Sequence, residues 1–204
     1  MARHLRTDGA ALARAVQEMA DRAQADPSAA GRIASVTATL EENLRSQVRF
    51  NQHGRDFAFQ SDELTVLGGE ATAPSPMRYF LSGVAFCELV WCAKGAALVG
   101  CELESLEVDV QAYLDVRGEH KVGDGVPPYP QWFVVGVTAG SPCVPEAVLR
   151  MVDEAEGRCP VMTLIKRAAP VYGRVVHNGA VIRNSVPAEI AAEIVRAASA
   201  ANRR

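Results

Sequence analysis

The sequence predicts an α+β protein, and three patterns support this fold class. Alternating apolar and polar residues in Ala34–Phe50 and Phe57–Gln60 indicate short, half-buried strands. The longest apolar stretch, Tyr79–Gly100, indicates one long buried helix. Two further alternating segments, Leu103–Val116 and Trp132–Ala139, indicate a long hairpin. Strands and helices that occur in separate runs are typical of the α+β class.

The composition is that of an ordinary globular protein, with 204 residues, 49% of them hydrophobic, and a formal net charge of -3. A chain of this length buries roughly 70% of its unfolded surface, so it needs no disulfide framework or structural metal. The five cysteines are an odd number, and no apolar signal segment follows Met1–Arg6. We therefore expect a protein of a reducing compartment, the cytoplasm.

Several classes of partner and cofactor are not supported. Glu88 and Lys94 interrupt the longest apolar stretch, which falls short of the roughly 20 clean apolar residues needed to span a bilayer. The lysines and arginines form no continuous basic patch, which argues against nucleic acid as a partner. No cysteine pair has C-x-x-C spacing, and no Gly-rich loop leads to a phosphate-binding lysine, so no metal and no cofactor are expected. The expected partner is a small molecule or a protein.

The first part of the chain is predicted to be a helix followed by an antiparallel meander. Apolar residues at three- and four-residue spacing predict the helix over Asp8–Gln24. Residues 1–33 are interpreted as an N-terminal helical extension, and residues 34–204 as the main domain. The meander consists of a strand over Ala34–Phe50 and strand-like runs at Phe57–Gln60 and Leu64–Leu67. The later elements are predicted to be a helix from Pro76 to Leu98, the long hairpin, helices over Pro145–Gly157 and Cys159–Pro170, a strand over Val171–Val181 and a helix over Pro187–Ala201.

Two cysteines are the main candidates for chemistry. Cys159 directly precedes Pro160 at a predicted helix start, where free backbone N–H groups and the helix dipole stabilise a thiolate and lower the pKa of the thiol. The alternative is a small capping residue without reactivity. Cys87 lies on an apolar face of the long helix, where the default is a buried, inert thiol with a raised pKa. The remaining cysteines have weaker cases: Cys92, Cys101 and Cys143.

The four histidines, His4, His53, His120 and His177, lie in predicted turns, strands or the terminus. We interpret them as solvated surface groups. A Cys–His hydrolytic pair requires a fold that brings one of them to a candidate cysteine, and nothing in the sequence supports that arrangement.

Taken together, these features resemble the OsmC/Ohr proteins, the family of osmotically inducible protein C and the organic hydroperoxide resistance proteins. The resemblance covers roughly Thr37–Val181, and the two cysteines are 159 − 87 = 72 residues apart. It depends on four features in a fixed order: Gly68-Gly69 in a loop, Pro74-Ser75-Pro76 before the long helix, Cys87 eleven residues after that proline, and Cys159-Pro160-Val161 at the start of a later helix.

The resemblance implies an OsmC-like fold, in which antiparallel sheets wrap around a buried central helix and two chains form an intertwined homodimer. It also implies thiol chemistry. In the peroxidase members, the thiolate at the position of Cys87 attacks a hydroperoxide and becomes a sulfenic acid, and the thiol at the position of Cys159 condenses with it to a disulfide. A dithiol reductant, thioredoxin-like or lipoyl-bearing, then restores both thiols.

The resemblance further implies an arginine, supplied by the partner chain, that stabilises the reactive thiolate. Arg55, which follows Gly54 at a predicted turn, resembles this arginine. Arg45 and Arg49, on the adjacent strand, are the alternatives.

The chain departs from the family at Met77. Hydroperoxide-resistance members usually carry an acidic residue there, which orients the arginine. Without it, Glu88 or Glu70 holds the arginine, or the peroxidase activity is weak or absent. Two alternatives therefore stand beside hydroperoxide reduction. One is binding of a small apolar molecule in the interface pocket without peroxidase activity, and the other is attack of Cys87 on a different electrophile, assisted by Glu88 or a histidine.

Overall fold

The computed structural model of the protein describes residues 5, 7–27, 30, 34, 36–168 and 170–201. These residues form an α+β arrangement, as predicted. The helices are α1 (Gly9–Ala25), α2 (Pro76–Val99), α3 (Val116–Glu119), α4 (Pro145–Arg158), α5 (Pro160–Ala168) and α6 (Ala188–Ala201). The strands are β1 (Thr37–Glu42), β2 (Arg45–Gln52), β3 (Arg55–Ser61), β4 (Ser105–Tyr113), β5 (Trp132–Gly140), β6 (Val171–His177) and β7 (Ala180–Asn184).

The chain divides into two compact units. Gln17–Gly83 forms the small unit, and Met1–Val16 together with Val84–Arg204 forms the large unit. Helix α1 confirms the helix predicted over Asp8–Gln24, with each end shifted by one residue. Asp8 caps it, because its Oδ1 accepts the backbone N–H of Ala11 at 2.9 Å. The division into an extension and a main domain at residue 33 stays a prediction.

The small unit contains a three-stranded antiparallel sheet in the order β1-β2-β3, which confirms the predicted meander. The single strand predicted over Ala34–Phe50 is wrong, because the chain turns at Asn43, whose φ is 50°. Strands β1 and β2 pair on either side of this turn. The strand predicted over Leu64–Leu67 is also wrong. Thr65–Leu67 instead forms a single 3-10 turn, which ends at Gly68 with a φ of 92°.

Asp62 organises the loop between β3 and α2. Its buried carboxylate accepts the backbone N–H groups of Glu63, Glu70 and Thr72 at 2.8, 3.2 and 3.0 Å. These hydrogen bonds, with that from Thr72 the strongest, lower the pKa of Asp62. Gly69 fits closely into the same loop, since a Cβ atom there would clash with the backbone carbonyl of Glu63. The loop that precedes α2 therefore requires both a carboxylate and a glycine.

The large unit contains a four-stranded sheet in the order β4-β5-β6-β7. Strands β4 and β5 form the predicted long hairpin. The sheet is mixed rather than purely antiparallel, because β5 and β6 are parallel and α4 and α5 make the crossover between them. The single strand predicted over Val171–Val181 is wrong. It is two strands, β6 and β7, which turn at Asn178 (φ 47°) and Gly179 (φ 83°).

Helix α4 supplies much of the core of the large unit. Its fully buried residues are the ones that helical spacing predicts: Val148, Met151, Val152 and Ala155. They pack with buried residues of α2, β5 and β6. Gly95 on α2 permits the close approach of the two helices, because a Cβ atom there would lie 2.6 Å from the backbone carbonyl oxygen of Met151.

Helix α2 extends over Pro76–Val99, close to the predicted bounds. Its buried face repeats every four residues: Val84, Glu88, Cys92 and Ala96. The opposite face is open in the single chain, with Phe86 71% exposed and Val90 48% exposed. Helix α2 is thus not covered on all sides by its own chain. Among the described residues it is the one helix long and apolar enough to span a membrane, judged by length and composition alone.

Candidate active site

The two candidate cysteines meet in the large unit. Cys87 lies on α2 and is partly buried, whereas Cys159 is fully buried between α4 and α5. Cys87 packs against the cluster that Cys159 forms with Val135 and Met162. The Cys87 thiol also contributes to the raised pKa of the Cys159 thiol. The fold therefore brings together the two cysteines on which the resemblance to the OsmC/Ohr proteins depends.

Cys159 occupies the junction of two helices. Its backbone N–H donates to the carbonyl oxygen of Ala155 at 2.8 Å and ends α4, and Pro160 begins α5. The backbone N–H of Met162 reaches its sulfur at 3.4 Å, as expected at a helix start. The predicted lowering of the thiol pKa is nevertheless wrong. Burial raises the pKa of Cys159 to about 12, and the N–H of Met162 offsets only part of this effect.

Glu88, the residue after Cys87, is a buried acid beside the thiols of Cys92 and Cys159. Its side chain is 0% exposed. The Oε1 atom lies 3.9 Å from the sulfur of Cys92, and the carboxyl interacts electrostatically with the thiol of Cys159. The Oε2 atom has no hydrogen-bond partner in the part of the chain that the structure describes. A buried carboxyl oxygen without a partner lowers stability, which points to a chemical role for this residue.

The pKa of Glu88 is raised from 4.5 to about 7. Burial is the main cause, and the negative charge of Glu156 on α4 adds to it. The interaction with the Cys159 side chain and the positive charge of Lys166 on α5 act in the opposite direction. Glu156 in turn pairs with Lys166 and Arg183, at 2.8 Å each. A carboxyl with a pKa near 7 exchanges protons readily at neutral pH.

Arg55 lies in the small unit, at the first residue of β3. It is exposed and forms no ion pair with any residue that the structure describes. Glu70, one of the two acids considered as its partner, instead lies 3.7 Å from the guanidinium of Arg45. Arg45 also pairs with Glu42 at 3.0 Å, and Arg49 donates to a neighbouring glutamine. The assignment of Arg55 as the thiolate stabiliser stays a prediction.

Among the described histidines, none hydrogen-bonds with Cys87 or Cys159. His53 and His120 are exposed, as predicted. The interpretation of His177 as a solvated group is wrong, because it is only 7% exposed and its ring nitrogen lies 2.8 Å from the backbone carbonyl oxygen of Ser141. His4 lies outside the described residues.

A cavity of about 370 Å³ lies in the large unit, between the first half of α1 and the end of α2. Its walls are largely apolar and include Leu12, Ala96, Cys101 and Leu103. The described residues contain no group of three or more His, Cys, Asp and Glu side chains that could hold a metal ion.

A sequence model of the OsmC-like protein family matches residues 68–172, slightly more than half of the chain. The chain belongs to the OsmC-like protein family. The match extends from the Gly68-Gly69 loop to the second residue of β6, and it includes both Cys87 and Cys159. Helix α2 lies wholly within the matched residues. A comparison with curated proteins found no match.

Solved structures with the same fold share little sequence with this chain. An OsmC-like protein from Mycoplasma pneumoniae is 18% identical, with a TM-score of 0.59 over 72% of this chain and 99% of that chain. An organic hydroperoxide resistance protein OsmC from Legionella pneumophila is 17% identical, with a TM-score of 0.51 over 72% and 99%. An organic hydroperoxide resistance protein from Elizabethkingia anophelis is also 17% identical, with a TM-score of 0.53 over 72% and 99%. At these identities the likeness is one of fold.

Proposed function

We propose that the protein is a cytoplasmic, thiol-dependent hydroperoxide reductase, with Cys87 as the peroxidatic and Cys159 as the resolving cysteine. The packing of Cys87 against the buried cluster that contains Cys159 is the observation that carries this proposal. A sulfenic acid on one sulfur is then within reach of the other, which disulfide formation requires. Family membership adds support, since two similar structures are organic hydroperoxide resistance proteins.

The first step oxidises Cys87. Its thiolate attacks one oxygen of the hydroperoxide, a sulfur–oxygen bond forms, the oxygen–oxygen bond breaks, and the alkoxide takes up a proton and leaves as an alcohol. Partial burial leaves the sulfur of Cys87 open to substrate. Trp91 and Val110 pack against the same cluster as Cys87. This apolar surrounding favours the hydroperoxide of an apolar organic molecule.

The second step forms the disulfide and needs a base. The sulfur of Cys159 attacks the sulfur of Cys87, the sulfur–sulfur bond forms, and the hydroxyl group leaves as water with the proton of Cys159. Because the pKa of Cys159 is about 12, its thiolate is scarce at neutral pH. The ionised carboxyl of Glu88, which interacts electrostatically with that thiol, accepts the proton and passes it to the departing hydroxide.

A dithiol reductant, thioredoxin-like or lipoyl-bearing, completes the cycle by reducing the disulfide. The proposed active form is a homodimer, since the exposed Phe86 and Val90 on α2 form an apolar surface that a second chain would cover. In that dimer Arg55 of the partner chain stabilises the Cys87 thiolate. Replacing Arg55 with alanine is expected to slow oxidation of Cys87, and the matched change Arg49→Ala is not.

The test follows the thiols of the reduced protein after one equivalent of an organic hydroperoxide. Cys87 shares the tryptic peptide Tyr79–Lys94 with Cys92, so Cys92→Ser is the working background, whereas Cys159 is alone in Cys159–Lys166. We expect a disulfide between these two peptides. Cys159→Ser should stop at a Cys87 sulfenic acid, and Cys87→Ser should leave Cys159 reduced. The proposal is refuted if Cys87 reacts no faster than a free cysteine.

A second candidate is binding of a small apolar molecule without peroxidase activity. The apolar cavity of about 370 Å³ in the large unit favours it, as does Met77 in place of the family's acidic residue. This function predicts that no thiol reacts with hydroperoxide while the protein binds an apolar fluorescent probe at the cavity. A third outcome, a covalent adduct on Cys87 with a carbon electrophile or thioester but no sulfenic acid, would indicate different nucleophilic chemistry.

A further inference from the structure

A second pair of thiols, Cys101 and Cys143, meets around one serine hydroxyl in the large unit. Cys101 follows α2, and Cys143 lies in the loop between β5 and α4. The Oγ of Ser141 lies 3.3 Å from the sulfur of Cys101 and accepts the backbone N–H of Cys143 at 3.1 Å. Cys143 also packs against the core cluster that contains Cys101. Neither residue contributes to the chemistry proposed for Cys87 and Cys159.

The two thiols of this pair have opposite properties. Cys101 is 7% exposed, and burial raises its pKa to about 11. Cys143 is partly exposed, and its pKa is lowered, chiefly by its interaction with the Cys101 side chain and then by that with the Ser141 side chain. An accessible thiol with a lowered pKa next to a buried thiol with a raised pKa is the arrangement that a nucleophile and a resolving partner need.

We propose that Cys143 and Cys101 form a second redox-active dithiol, in which a hydroperoxide oxidises Cys143 and Cys101 resolves it. The Cys143 thiolate attacks a peroxide oxygen, the oxygen–oxygen bond breaks, and the alkoxide is protonated to an alcohol. The Cys101 sulfur then attacks the Cys143 sulfur, and the hydroxyl group leaves as water with the Cys101 proton. Two thiols supply the two electrons that reduce the peroxide.

A Cys101–Cys143 disulfide would covalently link the segment after α2 to the loop that precedes α4. Cys101 also lines the cavity beneath the first half of α1. On oxidation the sulfur of Cys101 would therefore turn away from the cavity wall and bond to the sulfur of Cys143 in the loop before α4. The pair thus connects the redox state of the protein to the region where its N-terminal helix packs.

The test uses the full chain with Cys87→Ser and Cys159→Ser, so that its result does not depend on the first thiol pair. The reduced protein receives one equivalent of tert-butyl hydroperoxide, its free thiols are blocked with N-ethylmaleimide, and tryptic peptides are weighed. Cys101 is the one cysteine of Gly95–Arg117, and Cys143 is the one cysteine of Val122–Arg150. We expect loss of both alkylated peptides and the appearance of a linked pair, which dithiothreitol separates.

Three further substitutions, each made in the chain with Cys87→Ser and Cys159→Ser, test the role of each cysteine. Cys101→Ser should stop at a Cys143 sulfenic acid that dimedone traps, and Cys143→Ser should leave Cys101 free for alkylation. Cys92→Ser, a control at a buried thiol outside the pair, should leave the linked peptides unchanged. If the double variant does not fold, the same peptide map of the unmodified chain decides. The proposal is overturned if both peptides stay alkylated, or if Cys143 links only to a cysteine of another molecule.

Discussion

Replacing Glu88 with glutamine is expected to change the pH dependence of stability more than any other single substitution of a carboxyl group in the large unit. The carboxyl has a pKa of 4.5 when the chain is unfolded and about 7 when it is folded. A raised folded pKa means that the stability contribution is fully present below pH 4.5 and is lost as pH rises through about 7. At about 1.4 kcal/mol per pH unit, the loss amounts to roughly 3 kcal/mol.

Glutamine keeps the shape of the neutral acid but does not ionise, so the variant should not lose this stability. The measurement is urea unfolding of the reduced protein at pH values from about 4.5 to 8. Glu107→Gln, at an exposed glutamate on β4, is the matched control and should parallel the wild type. We expect the unfolding free energy of Glu88→Gln to rise by roughly 3 kcal/mol relative to wild type across this range.

The difference in unfolding free energy between wild type and Glu88→Gln at a single pH does not test the argument. The amide nitrogen of glutamine replaces Oε2 with a buried hydrogen-bond donor, which changes stability at every pH. The criterion is the change with pH. Equal slopes for wild type and Glu88→Gln would refute the argument that burial and the charge of Glu156 hold Glu88 neutral at mildly acidic pH. A slope that persists in Glu88→Gln would assign the effect to another group.

Three further predictions concern the dimer and the loop before α2. Phe86 is 71% exposed, and covering it would remove roughly 140 Å² of apolar surface, worth about 3 kcal/mol per subunit. If the proposed homodimer forms through α2, Phe86→Glu should therefore yield monomers in light scattering, whereas the control Val116→Glu, at another exposed residue, should leave the proposed dimer intact. Gly69→Ala should lower the melting temperature strongly, because the new Cβ meets the backbone carbonyl of Glu63, and an unchanged value would contradict the loop geometry. The folded pKa of Asp62 is lowered, so wild type should lose stability as pH falls below about 4, and Asp62→Asn should show a smaller loss in thermal melts.

Much of the fold follows from periodicity in the sequence. Helix α4 was predictable because its apolar residues recur at helical spacing and all face the core. The missed turn between β6 and β7 had a signal, since Asn178-Gly179 is a dipeptide that favours a tight hairpin turn. The missed turn at Asn43 had a weaker signal, because no glycine accompanies the asparagine.

The site was less predictable than the fold, because pKa values depend on burial depth. The position of Cys159 before Pro160 correctly placed it at a helix start, and the N–H of Met162 does reach its sulfur. No local pattern shows that the same sulfur is fully enclosed, and enclosure outweighs the N–H group. Likewise, the sequence suggested Glu88 only as a partner for an arginine or as an assistant, and its contact with Cys159 required the fold.

The raised pKa values of Glu88 and Cys159 are best understood together. A fully buried carboxylate would be costly if it were always ionised, but with a pKa of about 7 it is largely neutral at mildly acidic pH. A thiol with a pKa of about 12 would resolve a sulfenic acid slowly without a proton acceptor. Burial raises both pKa values, so in the proposed mechanism the Cys159 thiol needs a base and the Glu88 carboxyl has a suitable pKa to be that base. Glu156, held by Lys166 and Arg183, keeps Glu88 near that strength, because its negative charge opposes full ionisation.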